Sequence, residues 1–175
     1  GVELTARPSR REALRRIAFM PQSASAPGNL SVLETVTYLT WMRGTPWSRA
    51  RQQARQALAL VDLEKMSDTR CKALSGDMQR RVWLAQALAS EADVLLLDEP
   101  STGLDPRQRQ LMLTALHRAA ETGATIVLPS HVLEDVADLA DHLVVLTHGT
   151  VAFDAAMPES LDSTWFLDVT DGVRP

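Results

Sequence analysis

Two hydrophobic patterns alternate along this chain. Largely apolar runs of strand length occupy residues 17–20, 92–97 and 125–128, and such runs are typical of strands buried on both faces of a parallel sheet. Between them, apolar residues recur at helical spacing, as in Val82, Leu84, Ala85, Leu88 and Ala89. The pattern predicts an α/β fold with a mostly parallel sheet.

Start and stop signals bound the predicted helices. Ser31 and Glu34 form a capping box that opens a helix ending near Met42, and Ser75 is well placed as the N-cap of a long helix. The predicted helices cover residues 10–16, 31–42, 47–60, 78–90 and 107–120.

These elements divide the chain into four predicted segments. Residues 1–28 end an N-terminal core segment, residues 29–74 form a helical insert, and residues 75–153 form the C-terminal core. Residues 154–175 are a tail, in which Trp165 to Val169 predicts a small terminal strand.

The strand 94–97 carries two adjacent carboxylates, Asp98 and Glu99, at its end. Ligands of open α/β sheets bind beyond the carboxyl ends of the strands, so both acids are candidate site residues. Asp98 suits Mg²⁺, which prefers oxygen ligands, and Glu99 suits the polarisation of an attacking water. The alternative, an ordinary acidic turn closed by Pro100, remains open on this segment alone.

Two further positions have both a functional and a purely structural interpretation. The helix after Ser75 and Gly76 presents unpaired N–H groups and a positive dipole end, which favours an anion, although many capped helices bind nothing. His131 follows the strand 125–128 and is therefore expected at the same sheet edge as Asp98, although a lone loop histidine is usually only solvated.

Composition narrows the class of protein. The chain has 175 residues and a net charge of -4, which gives no reason to expect a nucleic-acid surface. Its one cysteine, Cys71, excludes an internal disulfide. No apolar run approaches the roughly 20 residues of a membrane span, so a membrane role requires a partner. Without an initiator Met, the sequence reads as one entered partway.

Five motifs in order resemble those of the ATP-binding cassette family: Gln22 its Q-loop, Leu74-Ser75-Gly76 its signature, Val94 to Glu99 its Walker B strand with the catalytic glutamate, Thr102 to Asp105 its D-loop, and His131 its switch histidine. The resemblance covers about residues 1–153. It implies a partial P-loop NTPase (RecA-like) core with an inserted α-helical subdomain.

The resemblance also implies a role for each matched residue in ATP hydrolysis. Asp98 would orient Mg²⁺ largely through water, and Glu99 would be the base or water-positioning group for attack on the γ-phosphate. His131 would contact that phosphate. Gln22 would link the metal and the nucleophilic water to the helical insert.

The resemblance also implies which partner proteins the chain binds. Two cassettes, identical or different, pair head to tail, so Ser75 and Gly76 would contact ATP in trans and Asp105 would lie at the dimer interface. The insert would receive a transmembrane permease subunit, placing the protein in the cytoplasm on the inner face of the membrane. The sequence at residues 29–32 and 42–44 resembles that of exporter ATPases.

The chain departs from the family at two points. It has no P-loop ending Gly-Lys-Ser/Thr, because its only lysines are Lys65 and Lys72 and neither follows glycine. Residues 1–4 resemble the hairpin that follows the P-loop helix, so that helix is expected upstream. Asp77 stands where the signature usually has glycine and is expected to repel the partner's triphosphate, unless it simply turns outward. Asp77→Gly is accordingly expected to raise ATPase activity.

Three functions stay open. The first is the ATP-hydrolysing subunit of a membrane exporter. The second is a soluble ATPase of DNA repair or translation, against which the short helical insert argues because a coiled-coil arm needs several heptads. The third is a non-hydrolysing remnant that binds a cassette or membrane partner, favoured by the missing P-loop. The incomplete core further predicts uncovered apolar sheet surface, an unpaired strand edge and a chain that is aggregation-prone or dependent on a partner.

Overall fold

A computed structural model describes residues 7–22 and 26–172 of the chain. The expected hairpin at residues 1–4 lies outside these ranges. The chain divides into two compact units, Gly1–Pro129 and Ser130–Pro175, which are taken separately below.

The first unit contains five helices and three strands among its described residues. In chain order they are α1 (Arg7–Arg15), β1 (Ile17–Met20), α2 (Val32–Met42), α3 (Trp47–Leu60), α4 (Gly76–Ala89), β2 (Val94–Leu97), α5 (Pro106–Glu121) and β3 (Thr125–Val127), with short 3-10 helices at Glu64–Met66 and Cys71–Ala73. The helices and strands predicted for this unit are all present, within three residues at each end.

The three strands form one parallel sheet in the order β1-β2-β3. Phe19 pairs with Leu96, which pairs with Val127, so the strands run in register across the sheet. All three therefore end at the same edge, where the loops that follow them meet. This confirms the predicted α/β class with a parallel core.

The two faces of the sheet differ in burial. Ala18, Met20 and Leu97 have no exposed surface, and Leu95 is also buried; helix α4 packs against β1 and β2, and α5 packs against β3. On the other face Phe19 is 53% exposed and Val127 is 45% exposed. The described residues of this unit thus leave one apolar face of the sheet uncovered, as the sequence predicted.

The helical insert packs as its apolar positions predict. Helices α2 and α3 contact each other and both contact α4, and Ala54, Leu58 and Val61 are buried. The capping box of α2 is formed: the Ser31 hydroxyl accepts from the Glu34 N–H at 3.2 Å, and the Glu34 carboxylate accepts from the Ser31 N–H at 2.8 Å.

Arg43 joins the insert to the sheet. It caps the C-terminus of α2, and its Nη2 donates to the carbonyl oxygens of Arg15 and Ile17, at 2.7 Å each. These two carbonyls flank the start of β1. The end of α2 is therefore tied to the strand whose other end carries Gln22.

The second unit contains α6 (Leu133–Leu139), an antiparallel hairpin of β4 (His142–Thr147) and β5 (Thr150–Ala156), and α7 (Ser163–Thr170). Val145, Trp165 and Val169 form its buried cluster, and Phe153 meets Trp165 edge to face at 5.0 Å between ring centroids. The predicted terminal strand at residues 165–169 is wrong. Asp162 caps a helix there by accepting from the Trp165 N–H at 2.7 Å, and Trp165 and Val169, four residues apart, both face the cluster.

Candidate catalytic site at the end of the parallel sheet

Residues from the ends of all three strands meet at the carboxyl edge of the sheet. The Asp98 N–H donates to the Met20 carbonyl at 2.9 Å, which extends the pairing of β1 and β2 by one residue. The next N–H, that of Glu99, donates to the Pro129 carbonyl at 3.2 Å, beyond the end of β3. The backbone of Asp98 and Glu99 is thus held between both neighbouring strands.

Two side chains orient the Glu99 carboxylate. Gln22 Nε2 donates to Glu99 Oε2 at 2.9 Å, and the Thr102 hydroxyl donates to the same oxygen at 3.3 Å. Glu99 also has a left-handed backbone, with φ 46°. Non-glycine residues rarely adopt this conformation, and it concentrates at functional sites.

The donor chemistry around Asp98 fits Mg²⁺ bound together with a nucleotide. Asp98 supplies a carboxylate, and the buried Ser101 hydroxyl has no hydrogen-bond partner among the described residues. Residues 7–22 and 26–172 contain no group of three or more His, Cys, Asp or Glu arranged to hold a metal. Mg²⁺ is usually held by one or two protein oxygens, with water and phosphate completing its shell.

The predicted signature segment opens α4 in the expected way. The Ser75 hydroxyl accepts from the Met78 N–H at 3.3 Å, which confirms the predicted N-cap. A Cβ built on Gly76 would meet no heavy atom within 4 Å, so the first residue of the helix faces open space. An anion can approach the backbone N–H groups here without a side chain in the way.

The D-loop segment ends in a second capping box. Asp105 caps α5: its Oδ1 accepts from the Gln108 N–H at 2.8 Å, and Gln108 Oε1 accepts from the Asp105 N–H at 3.4 Å. The spacing Asp-x-x-Gln before a helix is the sequence signal of this capping box. Asp105 therefore has a structural role whether or not it reaches a dimer interface.

His131 belongs to the second unit, which begins at Ser130. It is exposed, and it lies in the loop between β3 and α6. The structure thus brings Gln22 and Glu99 into contact with each other, while the role of His131 stays a prediction.

Sequence reasoning missed two residues of this edge. The family resemblance places Thr102 only in the D-loop, yet its hydroxyl donates to the Glu99 carboxylate. No sequence pattern marks Arg80, yet its Nη2 donates to the Gln22 carbonyl at 3.4 Å. Both contacts depend on how the loops after β1 and β2 close, and neither leaves a recognisable spacing in the sequence.

Comparison with known proteins supports a single family. The sequence model of the ABC transporter family matches residues 1–102. The chain is 34% identical over 169 residues to a Nod factor export ATP-binding protein I of Burkholderia orbicola, covering 96% of this chain and 56% of that protein. It is 32% identical over 159 residues to a daunorubicin/doxorubicin resistance ATP-binding protein of Streptomyces peucetius, covering 91% of this chain and 48% of that protein. The chain thus spans about half the length of these curated relatives.

Solved structures share the fold. An ATP-binding subunit of an ABC transporter superposes with a TM-score of 0.79 at 22% identity, over 89% of this chain and 64% of that one. A dimeric ATP-binding cassette in a post-hydrolysis state, bound to ADP and Pi, gives a TM-score of 0.77 at 23% identity, over 88% of this chain and 68% of that one. In the described part of the present chain, no helix is both long and apolar enough to cross a membrane.

Proposed function

Because the chain belongs to the ABC transporter family, we propose that it forms the water-activating half of an ATP-hydrolysing subunit of a membrane exporter. The observation that carries this proposal is the contact of Gln22 with Glu99, at 2.9 Å, at the end of a buried parallel strand. Two motifs 77 residues apart in the chain thereby converge on one carboxylate.

In this proposal Glu99 accepts a proton from, or orients, the water that attacks the γ-phosphate of ATP. The Gln22 amide and the Thr102 hydroxyl fix the rotamer of that carboxylate before the nucleotide arrives. Asp98 would hold Mg²⁺ through water, and Mg²⁺ would neutralise the charge that develops on the phosphate oxygens. His131 would add a hydrogen bond to the γ-phosphate.

The nucleotide would lie between two cassettes, the second being another copy or a related chain. Ser75 and Gly76 would close over ATP held by the partner, because the open N-terminus of α4 suits an anion. Asp105 would lie at that interface. The phosphate cradle itself needs a P-loop, which the 175 residues do not contain.

A transmembrane permease is the proposed partner of the helical insert, which would place the cassette at the inner face of the membrane. Helix α2 and the start of α3 expose three aromatic side chains: Tyr38, Trp41 and Trp47 are 40%, 46% and 48% exposed. Their ring centroids lie 5.8 and 6.0 Å apart in sequence order. Clusters of this kind are typical of protein interaction sites. The exporter assignment rests on the similarity to the Nod factor export and drug resistance proteins.

A second function, a non-hydrolysing cassette fragment that only binds partners, is favoured by the missing P-loop and by Asp77. The preserved contact between Gln22 and Glu99 weighs against it, since a fragment with no hydrolytic role has no need of an oriented carboxylate.

The test uses a complete cassette, meaning this chain preceded by a segment that carries a P-loop. Phosphate release from MgATP is measured for the unaltered cassette and for Glu99→Gln, which keeps the side-chain volume and removes the charge. We expect hydrolysis by the unaltered cassette and a loss of about 10²–10⁴-fold in the variant. Absence of hydrolysis in the unaltered cassette would favour the second function.

A further inference from the structure

The first turns of α4 lie close to both loops that surround Glu99. Arg80 is half-buried, and its Nη2 donates to the Gln22 carbonyl at 3.4 Å. Its Nη1 lies 3.5 Å from the position that a Cβ on Gly103 would take. One guanidinium therefore spans from the Q-loop residue to the D-loop segment.

Asp77 reaches the same point from the preceding turn of the helix. Its Oδ1 lies 3.3 Å from the position that a Cβ on Gly103 would take. The Asp77 side chain is therefore directed toward the D-loop of its own chain. Gly103 has φ +79°, which L side chains rarely adopt, so glycine here permits both the turn and the close approach of the two charged groups.

We propose that Arg80 is a positioning residue of the catalytic site, which holds the Q-loop at Gln22 and, together with Asp77, holds the D-loop at Gly103 of the same chain. Gln22 is then fixed at both ends, its carbonyl by Arg80 and its amide by Glu99. The inference rests on the proposed ATPase function and deepens it.

The same arrangement answers the electrostatic problem that Asp77 poses. Residues three apart on a helix lie on one face, so the Arg80 cation is placed to offset the Asp77 carboxylate. With Arg80 present, the Asp77 carboxylate stays beside the D-loop of its own chain. The N-terminus of α4 then still attracts a phosphate. Asp77→Gly alone is then expected to change ATPase activity much less than the sequence alone suggests.

The structural part is tested on the complete cassette without nucleotide. Amide hydrogen exchange is followed in the D-loop, where Thr102 donates to the Glu99 carbonyl at 3.3 Å and Leu104 donates to the Ser101 carbonyl at 3.0 Å. Arg80→Ala is expected to speed exchange of these amides about three- to tenfold. Arg55→Ala, which removes an exposed arginine of α3, is the matched control and is expected to change nothing there.

The functional part separates kcat from KM in the complete cassette. Arg80→Ala is expected to lower kcat about three- to tenfold and to raise the KM for ATP roughly two- to fivefold. Arg80→Lys keeps the charge but loses the planar fork that reaches two partners. It is therefore expected to restore KM and leave kcat low. Asp77→Asn in the Arg80→Ala background is likewise expected to restore KM alone.

Each outcome decides between the proposals. An Arg80→Ala variant that matches Arg55→Ala in both exchange and kinetics overturns the inference. A raised KM that persists in the Arg80→Ala, Asp77→Asn double variant also overturns it. So does a kcat that Arg80→Lys fully restores. If the unaltered cassette does not hydrolyse ATP, the proposed function fails, and the exchange experiment alone then decides whether Arg80 holds the two loops.

Discussion

At the scale of single residues, Glu99 combines a strained backbone with an oriented carboxylate. Its φ of 46° places it in the left-handed region, which costs an L residue roughly 1–2 kcal/mol. The backbone bond to Pro129 and the side-chain bonds from Gln22 and Thr102 hold this conformation in place. Strain retained at a charged group at a strand end is what a catalytic role would explain.

This strain predicts the relative stability of two variants. Glu99→Gly and Glu99→Ala both remove the carboxylate, but only glycine tolerates a positive φ without cost. The glycine variant is expected to be more stable by about 1 kcal/mol, measured as the difference in free energy of unfolding in urea. Equal stability, or a more stable alanine variant, would show that the left-handed conformation carries no strain.

The positions of the site residues were predictable, but their contacts were not. Gln22, Asp98 and Glu99 each follow a predicted strand, so their place at one sheet edge follows from the parallel topology. The bond from Thr102 and the left-handed backbone of Glu99 depend on the closure of the turn after β2. That closure includes the hydrogen bond from the Glu99 N–H to the Pro129 carbonyl, a contact distant in sequence that local pattern does not specify.

At the scale of elements, the helical insert is the part that sequence predicts best. Its helices carry local signals, such as the capping box at Ser31 and Glu34, which are read directly from residue spacing. The tail was mispredicted because Trp165 to Val169 suits either a strand or a helix. The choice depends on the cap at Asp162 and on packing against β4 and β5, which local pattern does not show.

The capping box predicts a pH dependence of stability. Hydrogen bonds from the Ser31 backbone and side chain hold the pKa of Glu34 below its usual value of 4.5. The stabilisation is therefore fully present above pH 4.5 and is lost as the pH falls through the lowered folded-state pKa. Urea midpoints of the unaltered chain and Glu34→Gln should differ at pH 7 and converge once the pH falls below the lowered folded-state pKa of Glu34.

A matched control for this prediction is Glu12→Gln, which alters an exposed glutamate within α1. We expect its difference from the unaltered chain to be smaller at pH 7 than that of Glu34→Gln. A Glu34→Gln difference that is independent of pH would mean that the charged form of Glu34 does not stabilise the start of α2.

Arg43 is the element-scale link between the insert and the sheet. Burial lowers the pKa of its guanidinium, so desolvation of this charge must be offset by its bonds to two backbone carbonyls. Arg43→Ala is expected to destabilise the chain by about 1–3 kcal/mol in urea unfolding, because it leaves both carbonyls without this donor. Arg55→Ala, on the exposed face of α3, should cost less than about 0.5 kcal/mol. Equal costs would mean that the Arg43 bonds contribute no stability.

At the scale of the whole molecule, we expect the uncovered sheet face to determine whether the chain self-associates in solution. Phe19 and Val127 lie in one row across the sheet, and about half of each side chain is exposed. An apolar face of this kind favours association. We expect the 175-residue chain to form aggregates in light scattering at micromolar concentration, as the sequence also predicted.

Substitution on this face tests its role. Phe19→Ser with Val127→Thr should lower the scattering, whereas Leu14→Ser, which removes a 51% exposed leucine on α1, should not. A monodisperse unaltered chain with a cooperative thermal transition would contradict the prediction.

We propose above all that two cassettes enclose ATP and that Glu99 is needed for its hydrolysis. The most direct measurement is the molar mass of the Glu99→Gln complete cassette in light scattering with MgATP, followed by identification of the bound nucleotide. We predict a mass twice that of the monomer, with intact ATP in the dimer. A mass that stays monomeric, or a dimer that contains ADP, would contradict the account.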